Sequence, residues 1–119
     1  TKKSIRYMSK FRATQNEYNN GFHMTFENGY TMSVQFSKSN YSDGGETTAE
    51  IAAWGPDGKW MKLSEHDDVR GWCSPDEVLE VMNTVASQGK KKMSTLEVLR
   101  LAFYITLIIT AIITLIAIA

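Results

Sequence analysis

The stretch that decides the fold is residues 101–119, LAFYITLIITAIITLIAIA, which contains no charged residue, no glycine and no proline. As an α-helix this stretch extends about 28 Å, close to the ~30 Å hydrocarbon thickness of a bilayer. Backbone N–H and C=O groups in lipid must be paired within the segment, which a single helix achieves and a single strand does not. The stretch therefore predicts a transmembrane helix, with a buried helix of a soluble protein as the alternative.

The residues before this stretch predict where the helix begins and how it is oriented. Ser94 and Glu97 have the spacing of a capping box, so we expect the helix to start at Ser94. Basic residues precede the apolar stretch and no charged side chain follows it, so the positive-inside rule places the N-terminal part in the cytoplasm. We therefore expect a single-pass, tail-anchored protein of the inner (cytoplasmic) membrane. The basic residues concerned are Lys90, Lys91, Lys92 and Arg100.

One stripe of the predicted helix carries small residues at intervals of four. Small side chains at this spacing allow two helices to approach closely, and threonine hydroxyls can bond across the interface or back to their own helix. The stripe predicts packing against a second copy or another membrane protein, unless the threonines are merely tolerated there. Its members are Ala102, Thr106, Thr110 and Thr114.

The charge pattern divides the remaining residues into basic ends and an acidic middle. The first basic residues come before any acid, and the next cluster immediately precedes the predicted anchor. Basic side chains near an anionic bilayer surface contribute about 1 kcal/mol each. We expect a cytoplasmic α+β domain at 1–89, a basic juxtamembrane segment at 90–100 and the anchor at 101–119. The predicted headgroup-binding residues are Lys2, Lys3, Arg6, Lys90, Lys91, Lys92 and Arg100.

The segment 22–36, FHMTFENGYTMSVQF, predicts a β-hairpin. Apolar residues alternate on both sides of Asn28-Gly29. A two-residue loop would put the two apolar rows on opposite faces, whereas a loop of residues 27–29 with a left-handed Gly29 puts them on one face. We therefore predict the pairs Phe26 with Tyr30, Met24 with Met32 and Phe22 with Val34. Residues 1–13 predict a strand or a short helix, and residues 14–21 a polar connection.

A second hairpin is predicted at 48–63, TAEIAAWGPDGKWMKL. A type I turn at 56–58 with a left-handed Gly58 would pair Trp54 with Trp60, Ala53 with Met61 and Ile51 with Leu63. The two tryptophans form either a wall of the core, which we favour, or an exposed aromatic patch. The polar loop 37–47 before this hairpin is either a plain connector or a binding loop. The residues of a possible protein-binding face are Tyr41, Trp54 and Trp60.

Residues 74–89 carry the signals of an amphipathic helix. Ser74 and Glu77 form a second capping box, and Pro75 occupies the first helical position. Cys73, the only cysteine, and Val78 stand at the positions of a hydrophobic staple, which predicts a packing role for the thiol. The expected apolar stripe is Val78, Leu79, Met82, Val85 and Ala86. The predicted fold is thus a small antiparallel β-meander packed on one amphipathic helix, followed by a single transmembrane helix.

The chain resembles small uncharacterised proteins of tailed bacteriophages, notably T4-like phages of cyanobacteria, over about residues 21–88. The resemblance is carried by residues 28–36, NGYTMSVQF, by 49–54, AEIAAW, and by 74–78, SPDEV, together with Asn40-Tyr41 and the segment 57–60. It implies a phage origin and a compact α+β domain, but no activity. The predicted anchor is not covered by it.

The residue types present favour binding over catalysis. Two histidines and no glycine-rich phosphate loop give no convergent acid–base or nucleophile set, so we expect no catalytic residue, no cofactor and no metal site. The expected partners are membrane lipid and a membrane protein or a second copy, without nucleic acid or a small-molecule substrate. We predict a non-enzymatic interaction or regulatory module. The resemblance to phage proteins implies that it acts on a host membrane complex. A structural accessory subunit of a larger membrane or virion assembly is the alternative.

Overall fold

A computed structural model describes residues 5–90 and 93–119 of the chain. The chain divides into two compact units, Thr1–Gly89 and Lys90–Ala119, which we call the head and the tail. Four residues predicted to contact lipid headgroups lie outside the described residues, namely Lys2, Lys3, Lys91 and Lys92.

The head contains a five-stranded antiparallel sheet whose strands follow one another in chain order. Each strand pairs with the next, which is the predicted meander. One helix of the head follows the last strand, and one long helix forms most of the tail. The α+β class predicted from the sequence is therefore confirmed. The elements are β1 (Lys10–Gln15), β2 (Asn20–Thr25), β3 (Thr31–Gln35), β4 (Ala49–Trp54), β5 (Val69–Cys73), α1 (Pro75–Ala86) and α2 (Thr95–Ile118).

The β2–β3 hairpin has the predicted three-residue loop. Phe22 pairs with Val34 and Met24 with Met32, while the Phe26 N–H donates to the Tyr30 carbonyl at 2.9 Å. Gly29 has a φ of 83°, in the left-handed region that glycine adopts without strain. The requirement for one shared apolar face thus predicted this register correctly.

The N-terminal segment forms a strand only over part of the predicted range. Lys10–Gln15 pairs with Thr25 to Asn20, which excludes the short-helix alternative there. Residues 5–9 lie outside helices and strands, and the predicted polar connection shortens to residues 16–19. The predicted connection was too long because polar Thr14, Gln15 and Asn20 have no apolar pattern that marks them as strand residues.

The second hairpin forms only near its turn. Trp54 makes a β-bridge with Trp60, and the Met61 N–H donates to the Ala53 carbonyl at 2.8 Å, as predicted. The predicted pairing of Ile51 with Leu63 is wrong, because Ile51 pairs with Arg70 of β5. After Met61 the chain turns away from β4. The same edge of β4 then pairs with β5, from Ala52 opposite Val69 to Ala49 opposite Cys73.

α1 begins at the predicted capping box. The Ser74 hydroxyl accepts from the Glu77 N–H, the Glu77 carboxylate accepts from the Ser74 N–H, and Pro75 starts the helix. Arg70 of β5 forms an ion pair with Glu77, which joins the sheet to the first turn of the helix.

The apolar stripe of α1 gains Val81 relative to the predicted one and lacks Leu79 and Ala86. Val81 and Val85 are buried, whereas Leu79 is 56% exposed. Val78, Val81, Met82 and Val85 follow the helical period, and Leu79 lies to one side of that stripe.

The core of the head lies on one face of the sheet. Met32, Ile51 and Ala53 are fully buried in one cluster with Val81 and Val85 of α1. Cys73 also belongs to this cluster, and Val78 packs against it. The thiol and the valine therefore occupy the packing positions that the sequence predicts for them.

Candidate functional site

The sheet face opposite α1 carries polar and aromatic side chains from several strands. Residues paired across antiparallel strands lie on the same face, so Arg12, His23, Ser33 and Ala52 form one row across four strands. The next row, through Met32 and Ala53, faces the core. We call the face that bears Arg12, His23 and Trp54 the open face.

Three rings meet on the open face. His23 of β2 contacts Trp54 of β4 edge to face, with ring centroids 5.2 Å apart. Trp54 in turn contacts Trp60, at 5.4 Å and an interplanar angle of 35°. His23 and Trp54 stand on strands that flank β3, so their rings meet above β3, where Ser33 and Thr31 leave room. We call these three residues the ring row.

The ring row corrects the favoured interpretation of the two tryptophans. Trp60 is 54% exposed, and Trp54 is half-buried on the face that points away from α1. The tryptophans therefore form an aromatic patch rather than a wall of the core. The prediction failed because the core face of β4 is filled by Ile51 and Ala53, and the alternation of the strand turns Trp54 to the other side.

A polar pocket lies beside the ring row on the same face. Its volume is about 440 Å³, and its lining includes Arg12, Thr14, His23, Ser33 and Gln35. Gln35 is buried, and its amide donates to the Thr14 hydroxyl at 2.8 Å and to the Ser33 hydroxyl at 3.2 Å. These bonds hold the pocket floor in one arrangement, since the buried amide has its partners within the protein.

Electrostatics favour an uncharged His23 in this pocket. Burial lowers the pKa of the His23 imidazole, and the positive charge of Arg12 lowers it further. Arg12 thus supplies the positive charge of this part of the open face, while the neutral imidazole can donate or accept a hydrogen bond.

Tyr41 is not brought to the two tryptophans. Its N–H donates to the Glu50 carboxylate at 2.8 Å, and its carbonyl accepts from the Trp72 N–H at 2.8 Å. Glu50 and Trp54 stand at opposite ends of β4, about 13 Å apart along the strand. Tyr41 is 63% exposed and lies near the Glu50 end of β4, away from the tryptophan pair.

The contact between Tyr41 and β5 depends on a glycine. A Cβ placed on Gly71 would stand 2.4 Å from the Tyr41 Cβ, which is too close for any side chain. The absence of a side chain at Gly71 thus allows the loop 37–47 to approach the sheet, and the hydrogen bonds of Tyr41 to Glu50 and to the Trp72 N–H hold it there.

The predicted helix-packing residues lie on α2, every residue of which is exposed. Each threonine hydroxyl of the stripe donates to the carbonyl four residues earlier at 2.9 Å, from Thr106, Thr110 and Thr114 to Ala102, Thr106 and Thr110 respectively. The hydroxyls thus use the bond back to their own helix, so any packing through this stripe depends on its shape.

Three of the predicted headgroup-binding residues are described, and all three are exposed. Arg6 belongs to the head, whereas Lys90 and Arg100 belong to the tail. α2 begins with the predicted capping box, in which the Ser94 hydroxyl accepts from the Glu97 N–H. The helix is long and apolar enough to cross a membrane.

The polar half of the open face was missed by sequence reasoning. Arg12, Thr14 and Gln35 carry no motif, and the sequence pattern assigns no role to His23. The signal that would have found them is their register. Once Arg12 is placed opposite His23 and His23 opposite Ser33, these side chains must share one face.

The open face is suited to binding. It offers flat ring surfaces, the positive charges of Lys10 and Arg12 and several hydrogen-bonding groups, a combination typical of recognition surfaces. Over residues 5–90 and 93–119, no group of three potential metal ligands comes together. The absence of an enzymatic activity stays a prediction.

Comparison with protein-family models, with curated proteins and with solved structures finds no match to this chain. The resemblance to small proteins of tailed bacteriophages therefore stays a prediction, and the functional argument depends on the geometry of the head and the composition of α2.

Proposed function

We propose that this chain is a single-pass membrane protein whose head is a non-enzymatic interaction module. The observation that carries the proposal is α2, a helix of 24 residues in which every side chain is exposed and 18 consecutive residues carry no charge. Exposed apolar surface costs about 25 cal/mol per Å² in water, so such a helix needs an apolar environment. The hydrocarbon core of a bilayer supplies it over the uncharged part of the helix.

The charges near α2 support an orientation with the head in the cytoplasm at the inner membrane. Lys90 and Arg100 both precede the uncharged part of the helix. Basic residues favour the cytoplasmic side of a span and interact with anionic headgroups there. Arg6 and the basic residues at positions 2, 3, 91 and 92 would add to this interaction with lipid.

The stripe of α2 supports close packing with another membrane helix or with a second copy. Ala102 and the three threonines place small side chains along one stripe of a helix that is rich in leucine and isoleucine. Because the threonine hydroxyls bond to their own helix, the contact would depend on close approach of the two backbones.

The ring row supports a protein partner for the head. Tryptophans whose rings are partly exposed are enriched at the centres of protein interfaces, where they bury a large area at a small cost in side-chain entropy. Trp60 is the most exposed ring of the row, and the polar pocket beside it provides the hydrogen-bonding groups of an interface. If the phage resemblance is correct, a host membrane complex is the partner that it favours.

Site-specific photo-crosslinking in cells tests this proposal. A benzoylphenylalanine at position 60 keeps an aromatic side chain there, and the matched control carries it at Leu79, which is equally exposed but lies on α1. After irradiation and isolation of membranes, we expect an adduct with one defined protein from position 60 and not from position 79. Adducts of equal yield from both positions, or none from position 60, would contradict the proposed partner face.

A further inference from the structure

The outer edge of β1 offers unpaired backbone groups. β1 is the first strand of the sheet, and no strand within residues 5–90 or 93–119 pairs with its outer side. The Asn16 N–H donates to the Asn19 carbonyl, so bonded and non-bonded pairs alternate from there along the β1–β2 ladder. The bonded pairs are then Thr14 with Gly21, Arg12 with His23 and Lys10 with Thr25. The backbone groups of Phe11, Ala13 and Gln15 therefore point outward.

The side chains of β1 define what an added strand would have to carry. Phe11 is 76% exposed although it lies on the face that bears the core, where its ring contacts Phe22 edge to face. Lys10 and Arg12 lie on the open face, and the strand contains no acid. A strand beside β1 would therefore match it with apolar residues next to Phe11 and Ala13 and acidic residues next to Lys10 and Arg12.

A second copy fits this edge poorly. An antiparallel pair of two β1 strands that keeps the faces continuous would bring Lys10 and Arg12 of both copies onto one face, with no acid between them. Like charges on neighbouring strands are destabilising. The charge on β1 therefore favours a different chain, with acidic residues on its strand.

The other edge of the sheet is less suitable. β5 is irregular opposite Ala49–Ile51, and Trp72 there has a φ of 54°, which a bulky residue adopts only with strain. The Trp72 N–H is already bonded to the Tyr41 carbonyl. Such bulges protect an edge from further pairing, whereas β1 has no register shift along its six residues.

We propose that β1 binds an extended segment of a partner protein, with alternating acidic and apolar residues, as a sixth strand of the sheet. This inference rests on the proposed function in that the head binds a protein, and it names the chemistry of that partner. Main-chain bonds to Phe11, Ala13 and Gln15 supply affinity, and the alternation of side chains supplies specificity.

The test measures binding of synthetic peptides to the full chain in detergent micelles by fluorescence anisotropy. One labelled peptide alternates Val and Glu over the length of β1, and the other alternates Val and Lys. We expect the Glu peptide to bind at least about tenfold more tightly than the Lys peptide. Equal affinities, or no binding of the Glu peptide, would overturn the inference.

Two pairs of variants test the backbone and charge contributions separately. Ala13→Pro removes an outward N–H without breaking a bond to β2, and Ala13→Thr keeps that N–H. We expect about a tenfold loss of affinity for the first and little change for the second. Arg12→Glu should reverse the preference between the two peptides, whereas Lys59→Glu, the same charge change in the turn 55–59, should not. Circular dichroism checks that each variant is folded.

The outcomes separate this inference from the proposed function. If Ala13→Pro binds the Glu peptide as Ala13→Thr does, the edge is not used and the inference is wrong. Crosslinking from position 60 is then repeated in the Ala13→Pro background. An adduct that persists in the Ala13→Pro background leaves the proposed function intact. If position 60 gives no adduct in chains that carry the wild-type Ala13, the proposed function is contradicted, whatever the peptides show.

Discussion

His23 connects the two halves of the open face at the scale of single residues. Its ring contacts Trp54, and its imidazole lies beside the guanidinium of Arg12. Burial and the charge of Arg12 both favour the neutral imidazole. The folded protein therefore resists protonation of a residue that the unfolded chain protonates at its ordinary pKa near 6.5.

We expect His23 to make the stability of the head fall with acidification. Because its folded pKa is lowered, its full contribution is present above pH 6.5 and is lost as the pH falls through 6.5 towards the folded value. Replacing His23→Gln should flatten this dependence between about pH 8 and about pH 5. Denaturation midpoints followed by tryptophan fluorescence measure it. Equal slopes in the two proteins would show that His23 does not titrate as proposed, and His66→Gln is the matched control.

Asn28 links two elements that are far apart in the sequence. Its amide donates to the carbonyls of Val85 at 2.9 Å and Gln88 at 3.1 Å, at the end of α1. Its side-chain oxygen accepts from the Tyr30 N–H at 3.0 Å. The loop of the β2–β3 hairpin therefore donates to two carbonyls at the C-terminal end of α1, of which the Val85 carbonyl also accepts from the Gln88 N–H at 3.2 Å.

We predict that Asn28→Ala lowers the free energy of unfolding by about 1–3 kcal/mol, since two carbonyls and one N–H each lose a hydrogen bond. Asn28→Asp keeps the acceptor for Tyr30 but loses the donor and places negative charge near the C-terminus of α1, so it should be destabilising as well. Urea denaturation followed by circular dichroism gives the values. Wild-type stability in Asn28→Asp would show that the donor bonds contribute nothing. Glu27→Ala, in the same loop, should change stability by no more than about 0.5 kcal/mol.

The elements that could be predicted are those whose signals are local. The loop 27–29 followed from the alternation of apolar residues on both sides of it, and α1 from its capping box. β5 was missed because Val69–Cys73 contains Gly71 and an irregular register and has no alternating pattern. Its pairing with β4 joins residues about twenty positions apart, and no local pattern distinguishes it from the shorter hairpin that was expected.

The candidate site likewise contains features that have a local sequence signal and features that do not. The tryptophan pair was predicted from turn geometry, because the turn sets which residues lie opposite one another. The exposure of the pair could not be predicted, because it depends on which of the two faces of the sheet is covered by α1. The polar pocket needs the register of β1, β2 and β3 together, and the polar sequence of β1 gives no indication of it.

At the scale of the whole molecule, the two units differ in the environment they require. The head has a core of its own, in which sheet residues and two valines of α1 are buried. The tail is a helix with no buried residue. The uncharged part of this helix after Arg100 is about 27 Å long, close to the hydrocarbon thickness of a bilayer. The proposed function therefore depends on where this helix lies.

Fractionation of cells with an alkaline wash is the most direct test of membrane anchoring. We predict that the unaltered chain stays in the washed membrane pellet. Ile109→Arg combined with Ile112→Arg costs about 2.5–3.5 kcal/mol per arginine at the centre of a span and should release the chain, whereas Leu at both positions should not. Recovery of the unaltered chain as a soluble, compact monomer would contradict the account.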